Sequence, residues 1–136
     1  MNKTFLVIPI ALAAVSLAWP RTNAGPANHS PLDGTWQLVS GQPLPKNARD
    51  VKIISGGHFI FVAYDADTGK PLYTGGGTYT LNGSSYTEHM EFASEPISAL
   101  IGKEQSFTVN VSADTFTQRG TLSNGKPLAE LWKRLR

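Results

Sequence analysis

The fold is decided by the stretch TYTLNGSSYTEHMEF, which runs from Thr78 to Phe92. In it, two runs of β-branched and aromatic residues are separated by Asn82-Gly83 and two serines. Asn and Gly adopt the positive φ angles of tight hairpin turns at little cost, so this dipeptide predicts an antiparallel hairpin. A chain built around such a hairpin is expected to be rich in β-strands.

Outside this hairpin, short runs rich in Val, Ile, Thr, Phe and Tyr alternate with turn sequences. The turn sequences include Ser55-Gly56-Gly57, Gly75-Gly76-Gly77 and Ser123-Asn124-Gly125. Their spacing predicts an all-β domain, either a sandwich or a barrel, with one short helical turn within 94–101. About eight strands are predicted, at 34–40, 51–55, 58–64, 78–81, 84–92, 105–111, 114–121 and 128–135.

Alternation along these strands predicts which side chains point to the interior, since neighbouring residues of a strand face opposite sides. In the final strand the pattern leaves both faces open, because Glu130, Trp132 and Arg134 lie opposite Leu131 and Lys133. In the other strands the predicted inward residues are Trp36, Leu38, Tyr86, Glu88, Met90, Phe92, Phe107, Val109, Val111, Phe116, Gln118 and Gly120.

The N-terminal segment has the pattern of a secretory signal peptide. Lys3 precedes the apolar run FLVIPIALAAVSLA, which is shorter than the roughly 20 residues that a membrane-spanning helix needs. The small residues Ala18 and Ala24 indicate cleavage after one or the other. We therefore expect a signal peptide at 1–24, a leader at 25–33 and a periplasmic or secreted domain at 34–136. The alternative is an uncleaved membrane anchor.

Composition excludes several classes of function. The chain has no Cys, so disulfide scaffolds, thiolate metal sites and cysteine nucleophiles are ruled out. Its 12 Lys and Arg exceed its 10 Asp and Glu, but loss of residues 1–24 removes Lys3 and Arg21 and balances the charge. A balanced domain offers no basic face, so we expect no nucleic-acid partner and, after cleavage, no stable membrane insertion. The sequence does not indicate the oligomeric state.

The run Gly34-Thr35-Trp36-Gln37-Leu38-Val39-Ser40 resembles the first strand of the calycin superfamily, which comprises lipocalins and fatty-acid-binding proteins. In that superfamily the indole of a Gly-x-Trp closes one end of a barrel, commonly beneath a cationic residue of the last strand. Later motifs, from Gly57-His58-Phe59 to Leu131-Trp132-Lys133-Arg134, resemble uncharacterised bacterial secreted proteins with a lipocalin-like domain. The resemblance covers about 32–136. It implies a single up-and-down antiparallel β-barrel with Trp36 and Arg134 as its plug.

Glu88 is the main candidate site residue, since it shares its predicted face with Tyr86 and other large side chains. A buried carboxylate needs a donor, a cation or a ligand, because burial removes its hydration. A bulge that shifted the register by one residue would turn Glu88 to solvent, and the sequence leaves both orientations open. If Glu88 points inward, we expect it to share a hydrogen-bonded cluster with at least one of His58, Tyr86, Gln118 and Glu130.

His58, Tyr79 and Trp132 complete the candidate ligand-binding set. His58 follows two glycines and is either an interior binding or catalytic residue or a strand residue bonded to a neighbour. The aromatic side chains could stack on a flat ligand or fill a small barrel. The His spacing gives no metal site and the glycines give no phosphate-binding motif, so we predict no metal and no cofactor.

Three functions remain open. The first is binding of a small, partly apolar molecule, since a barrel of about eight strands can enclose one. The second is an enzyme in which Glu88 acts with His58 or Tyr86 as an acid/base pair. The third is a filled barrel that serves as a structural or interaction module. We predict the first, although the loop 41–50 lacks the helical lid of fatty-acid-binding proteins and disfavours a fatty-acid ligand.

Overall fold

Residues 29–136 are described by a computed structural model. Eight antiparallel strands follow one another along the chain and close into a barrel, because β1 pairs with both β2 and β8. The strands are β1 Gly34–Ser40, β2 Ala48–Ser55, β3 His58–Asp65, β4 Pro71–Asn82, β5 Ser85–Ala93, β6 Glu104–Val111, β7 Thr115–Thr121 and β8 Pro127–Arg134. A single 3₁₀ turn, Ser98–Leu100, lies between β5 and β6. The predicted up-and-down barrel is confirmed.

The largest difference from the predicted strands is in β4, which begins at Pro71 and not at Thr78. We expected Gly75-Gly76-Gly77 to form a turn, and this prediction was wrong because the three glycines lie within the strand. A Cβ atom on Gly77 would lie 2.0 Å from the carbonyl oxygen of His89. The glycines therefore permit close approach of neighbouring backbones, which is another use of glycine in a sheet.

A β-bulge beside these glycines reverses one predicted core residue. Met90 and Phe92 pair with successive glycines of β4, so Glu91 is an extra residue in β5. Phe92 is consequently 44% exposed, and its predicted inward orientation was wrong. Tyr86 and Glu88 precede the bulge and keep the predicted inward phase.

The final strand, whose inner face the sequence left open, turns Glu130 and Trp132 to the interior. On β7, Gln118 is buried beside Phe116, as the alternation predicts. The buried apolar side chains form one cluster, which comprises Leu32, Trp36, Ile54, Phe59, Tyr79, Tyr86, Met90, Leu100, Phe107, Val109, Phe116, Leu128 and Trp132.

Three short turns and the segment before β1 lie at one end of the barrel, which we call the closed end. Trp36 is fully buried there, and its indole Nε1 donates to the carbonyl oxygen of Leu32 at 2.8 Å. Cζ of Arg134 lies 3.9 Å from the ring centroid of Trp36, and its Nη1 donates to the carbonyl oxygen of Asp33 at 2.7 Å. Phe116 packs edge-on against the same indole. The structure thus has the plug that the resemblance implied.

The predicted signal peptide, 1–24, lies outside the described residues. The described part of the predicted leader, 29–33, includes Leu32, which is fully buried. The folded domain therefore begins before Gly34, because Leu32 belongs to its core. No helix within residues 29–136 is long and apolar enough to cross a membrane.

Candidate functional site

The opposite end of the barrel, which we call the open end, carries the four longer loops and leads into a cavity of about 310 Å³. Pro96, Ile97 and Leu100 line it from the connection between β5 and β6. Asn124 and Lys126 line it from the connection between β7 and β8. Inward-facing side chains of the strands form its walls, so the cavity occupies the part of the interior that the plug leaves free.

A buried ion pair forms one part of the wall. Nζ of Lys52 on β2 donates to Oε1 of Glu88 on β5 at 2.7 Å, and the hydroxyl of Tyr86 donates to the same oxygen at 2.8 Å. Lys52 and Glu88 are only 3% and 4% exposed, so water screens their attraction little. Glu88 thus has the cation that its burial requires.

A second hydrogen-bonded group adjoins this pair. Nε2 of Gln118 donates to Oε2 of Glu130 at 2.9 Å, and Nε1 of Trp132 donates to the same oxygen at 3.0 Å. Oε1 of Gln118 accepts from Nζ of Lys52 at 3.4 Å, which links the two groups. Both donors to Glu130 are neutral. Desolvation by burial therefore raises the pKa of Glu130 to about 7, and the nearby Lys52 offsets only part of that effect.

Asp50 on β2 is the third buried carboxyl group of the cavity. Its Oδ2 accepts a hydrogen bond from the hydroxyl of Tyr73 at 2.9 Å. Its Oδ1 has no hydrogen-bond partner among residues 29–136, although Asp50 is only 4% exposed. Burial raises the pKa of Asp50, and the hydrogen bond from Tyr73 and the charge of Lys52 oppose that rise. Asp50, a residue of the cavity wall, therefore has a buried acceptor atom that no group of the described residues uses.

The structure brings five predicted site residues together in this network, namely Tyr86, Glu88, Gln118, Glu130 and Trp132. Tyr86 is fully buried and supports Glu88 through its hydroxyl. Tyr79 lies closer to the closed end, where its ring centroid is 5.3 Å from that of Tyr86 and its hydroxyl donates to Asp33 at 3.4 Å. Five of the seven predicted ligand-binding residues thus form a connected network, and Tyr79 lies behind it.

His58 lies on the outer face of the barrel and is exposed. Its neighbour Phe59 is buried and takes the inward position, so alternation turns His58 away from the cavity. The sequence left the orientation of His58 open, and its outward orientation keeps it out of the cluster and out of an acid/base pair with Glu88. The expected contact of Glu88 with at least one of the four candidates is made by Tyr86. The strand is apolar on both faces, so its sequence did not show which residues point inward.

Lys52, Asp50 and Tyr73 are site residues that the sequence did not reveal. On β2, Val51 and Ile53 alternate with Asp50 and Lys52. Hydrophobicity predicts that the two apolar side chains point to the interior. Ile53 is instead 48% exposed. Tyr73 lay outside the predicted strands because the triglycine was taken for a turn. One signal was available: an inward glutamate requires a cation, and Lys52 is a basic residue of a predicted strand.

The cavity wall therefore combines aromatic rings with carboxyl groups. One of these groups, Glu130, has a pKa of about 7. The ammonium of Lys52 lies 5.1 Å from the ring centroid of Trp132 and 5.8 Å from that of Phe61. No group of three or more His, Asp or Glu side chains within residues 29–136 is placed to hold a metal ion. Chemically, the wall can accept hydrogen bonds and bind a positive charge.

Comparison with known proteins agrees with this fold. The chain is similar to the crystal structure of a lipocalin-like protein from Bacteroides uniformis ATCC 8492, with 16% sequence identity and a TM-score of 0.56. The match covers 78% of this chain and 100% of that one, and it confirms the lipocalin-like fold. No curated protein matches the chain. The model of the family described as "Domain of unknown function (DUF4488)" matches residues 31–136, and the chain therefore belongs to that family.

Proposed function

We propose that the protein binds a small, partly apolar molecule in the cavity at the open end. The observation that carries this proposal is the cavity of about 310 Å³, whose wall combines apolar rings with a few oriented polar groups. Ligand sites commonly have this composition and volumes of about 300–1,000 Å³. The volume lies at the lower end of that range and suits a compact molecule better than a long-chain lipid.

The alternatives have weaker support. A filled barrel would pack side chains into the volume that this barrel leaves open, and it would have no reason to bury an unpartnered carboxylate oxygen. An enzyme that pairs Glu88 with His58 is disfavoured because His58 is on the outer face. Oε1 of Glu88 already accepts hydrogen bonds from Lys52 and Tyr86, which favours a structural role for this carboxylate.

We also propose that the domain is exported to the periplasm or beyond, because the apolar run that ends at Ala18 has the pattern of a signal peptide. N-terminal sequencing of the protein from its native host should then begin after Ala18 or after Ala24. An intact Met1 on membrane-bound material would contradict export as a free domain. We propose no nucleic-acid partner, because the chain that remains after cleavage has as many acidic as basic residues.

The binding proposal can be tested by filling the mouth of the cavity. Ala99 is exposed and lines the cavity, so Ala99→Trp adds bulk there without replacing a core residue. The matched control is Ala129→Trp, which makes the same change at an exposed position on the outer face of β8. The probe is N-phenyl-1-naphthylamine, an uncharged dye whose fluorescence rises in apolar surroundings.

We expect wild type and Ala129→Trp to bind the dye alike, and Ala99→Trp to bind it at least about tenfold more weakly. Native mass spectrometry of the exported full chain should show a co-purified small molecule that Ala99→Trp does not retain. Equal dye binding by all three proteins would contradict the proposal, because the dye would then bind outside the cavity. Absence of both dye binding and a co-purified molecule in wild type would contradict it as well.

A further inference from the structure

The buried carboxyl groups of the cavity outnumber its buried cations. Among the described residues, the buried carboxyl groups are Asp50, Glu88 and Glu130, whereas the one buried cation is Lys52. Lys52 and Glu88 form an ion pair with 2.7 Å between their charged atoms. Asp50 and Glu130 accept hydrogen bonds only from neutral donors among residues 29–136, so two carboxyl groups lack a directly bonded cation.

We propose that the ligand of this cavity is a small organic amine with an apolar body, whose ammonium group binds the carboxyl group of Asp50. This inference rests on the proposed binding function and names the chemical class of its ligand. A cation at that position would supply the bonded positive charge that Asp50 and Glu130 lack among residues 29–136.

The geometry at Asp50 suits an ammonium group. Asp50 belongs to the lining of the cavity. Tyr73 donates to its Oδ2 at 2.9 Å and thereby orients the carboxyl group, while Oδ1 is buried and has no partner among the described residues. A hydrogen bond between an ammonium and a carboxylate is about twice as strong as one between neutral groups. Phe61 and Trp132 line the same cavity and can contact the apolar body of the amine.

A carboxylate ligand is disfavoured by the same arrangement. Lys126, one of the two lysines that line the cavity, is exposed at its mouth. The buried counter-ion would be the ammonium of Lys52, but it is already bonded to Glu88 at 2.7 Å and to Gln118 at 3.4 Å. An incoming anion would have to displace Glu88 and would meet two further carboxyl groups. Breaking a buried ion pair leaves an uncompensated charge, so this exchange is unfavourable.

Amine binding should also be coupled to proton release. Burial raises the pKa of Glu130 to about 7 and raises the pKa of Asp50, so each holds a proton at a pH where an exposed carboxyl does not. The groups that face Glu130 are Asp50 and Lys52 from β2, Tyr73 from β4, Tyr86 and Glu88 from β5, Gln118 from β7 and Trp132 from its own strand. An ammonium ion favours the ionised carboxylates, so its affinity should rise with pH.

Three indoles that differ in the charge of one group provide the test. Tryptamine carries an ammonium, tryptophol a neutral hydroxyl and indole-3-acetate a carboxylate at neutral pH. Isothermal titration calorimetry of wild type should give tryptamine an affinity at least about tenfold higher than that of tryptophol. Indole-3-acetate should bind most weakly of the three. The affinity for tryptamine should increase between about pH 5 and pH 8, whereas that for tryptophol should change little.

Asp50→Asn keeps the shape of the side chain and removes its charge, so it should reduce the affinity for tryptamine by about tenfold and leave tryptophol binding within about twofold. The matched control is Asp114→Asn, which makes the same change at an exposed residue of the closed end. This control should bind all three indoles as wild type does.

Equal affinities for the three indoles, or tighter binding of indole-3-acetate, would overturn the amine inference. Retention of full tryptamine affinity by Asp50→Asn would overturn it too. In these cases binding of N-phenyl-1-naphthylamine would still support the proposed binding function. A wild-type protein that binds neither the dye nor any indole would overturn both.

Discussion

The two ends of the barrel use the same strands for opposite purposes. At the closed end, the indole N–H of Trp36 and the guanidinium of Arg134 donate to backbone carbonyls, and the side chains fill the space. At the open end, the buried carboxyl groups of residues 29–136 outnumber the buried cations, one oxygen of Asp50 has no partner among these residues, and a cavity remains. One barrel can therefore keep the packed plug at one end apart from the polar groups of the cavity at the other end.

The loops account for much of this difference. The turns at the closed end span two or three residues, at 56–57, 83–84 and 112–114. At the open end the connections are longer, at 41–47, 66–70, 94–103 and 122–126. Short turns bring the strand ends together over Trp36, whereas the longer loops surround the mouth of the cavity. The first way to test this comparison is therefore to damage each end in turn.

The largest effect is expected at the closed end. Trp36→Ala should lower the free energy of unfolding by about 3–5 kcal/mol, because it leaves a cavity in a packed region and removes the partner of Arg134. Urea unfolding followed by circular dichroism measures this loss. Phe92→Ala, on the outer face, is the control and should cost about 1 kcal/mol or less. A urea midpoint for Trp36→Ala close to that of wild type would show that the plug does not stabilise the closed end.

An effect of similar size is expected if the ion pair of the open end is broken. Lys52→Met leaves Glu88 buried without a cation, which should cost about 3–5 kcal/mol. The double variant Lys52→Met/Glu88→Gln removes both charges and should recover more than half of that loss. Thermal and urea unfolding of both variants provide the measurement. A double variant as unstable as Lys52→Met would show that packing of the lysine chain, and not charge, causes the loss.

A smaller, pH-dependent effect is expected at Glu130. Its folded pKa of about 7 lies above the ordinary value of 4.5, so the folded state holds a proton that the unfolded state releases over that interval. The stability contributed by the protonated group is therefore complete below about pH 4.5 and is lost as the pH rises to about 7. The loss is of the order of 3 kcal/mol at most.

Glu130→Gln lacks this titration and keeps an acceptor for Trp132. Its free energy of unfolding relative to wild type should therefore increase between about pH 4 and pH 8 by up to about 3 kcal/mol. Urea unfolding at a series of pH values measures the change, with Glu104→Gln on the outer face as the control. If the difference in unfolding free energy between Glu130→Gln and wild type does not depend on pH, the raised pKa of Glu130 is contradicted.

The smallest effect is expected for the cation over the plug. Arg134→Met should remove the cation–π contact with Trp36 and cost about 0.5–2 kcal/mol from that contact, with a further loss from its hydrogen bonds. Arg134→Lys keeps the charge and should lose less. Unfolding by urea distinguishes the two variants, and the exposed neighbour Lys133→Met is the control. A cost for Arg134→Lys equal to that for Arg134→Met would show that the charge contributes nothing.

The sequence was most informative where apolar residues mark the inner face. The hairpin predicted from Asn82-Gly83 is present, although its turn residues are Gly83 and Ser84 because Asn82 pairs with Ser85. The phase of Tyr86 and Met90 predicted the inward Glu88 because large side chains share its face. The bulge at Glu91 was not predictable in this way. It depends on the close approach of the triglycine backbone across the sheet, which no pattern within β5 records.

Lys52 was missed for the opposite reason. The usual rule places apolar residues inside, but β2 turns Ile53 outward and Lys52 inward, since the interior needs a partner for Glu88. A barrel that encloses a polar cavity reverses hydrophobic alternation on the strands that form the wall. Such a reversal follows from contacts between β2 and β5, which are 36 residues apart in the ion pair and are invisible to local periodicity.

The segment before β1 and the end of β8 meet at the plug, where Arg134 donates to the carbonyl oxygens of Pro31 and Asp33. Both ends of the folded domain therefore emerge on the side away from the cavity mouth. A purification tag, a fused protein or an immobilising linker attached to either end leaves the mouth facing solution. The domain can thus be mounted on a sensor surface by either terminus without obstructing access to its interior.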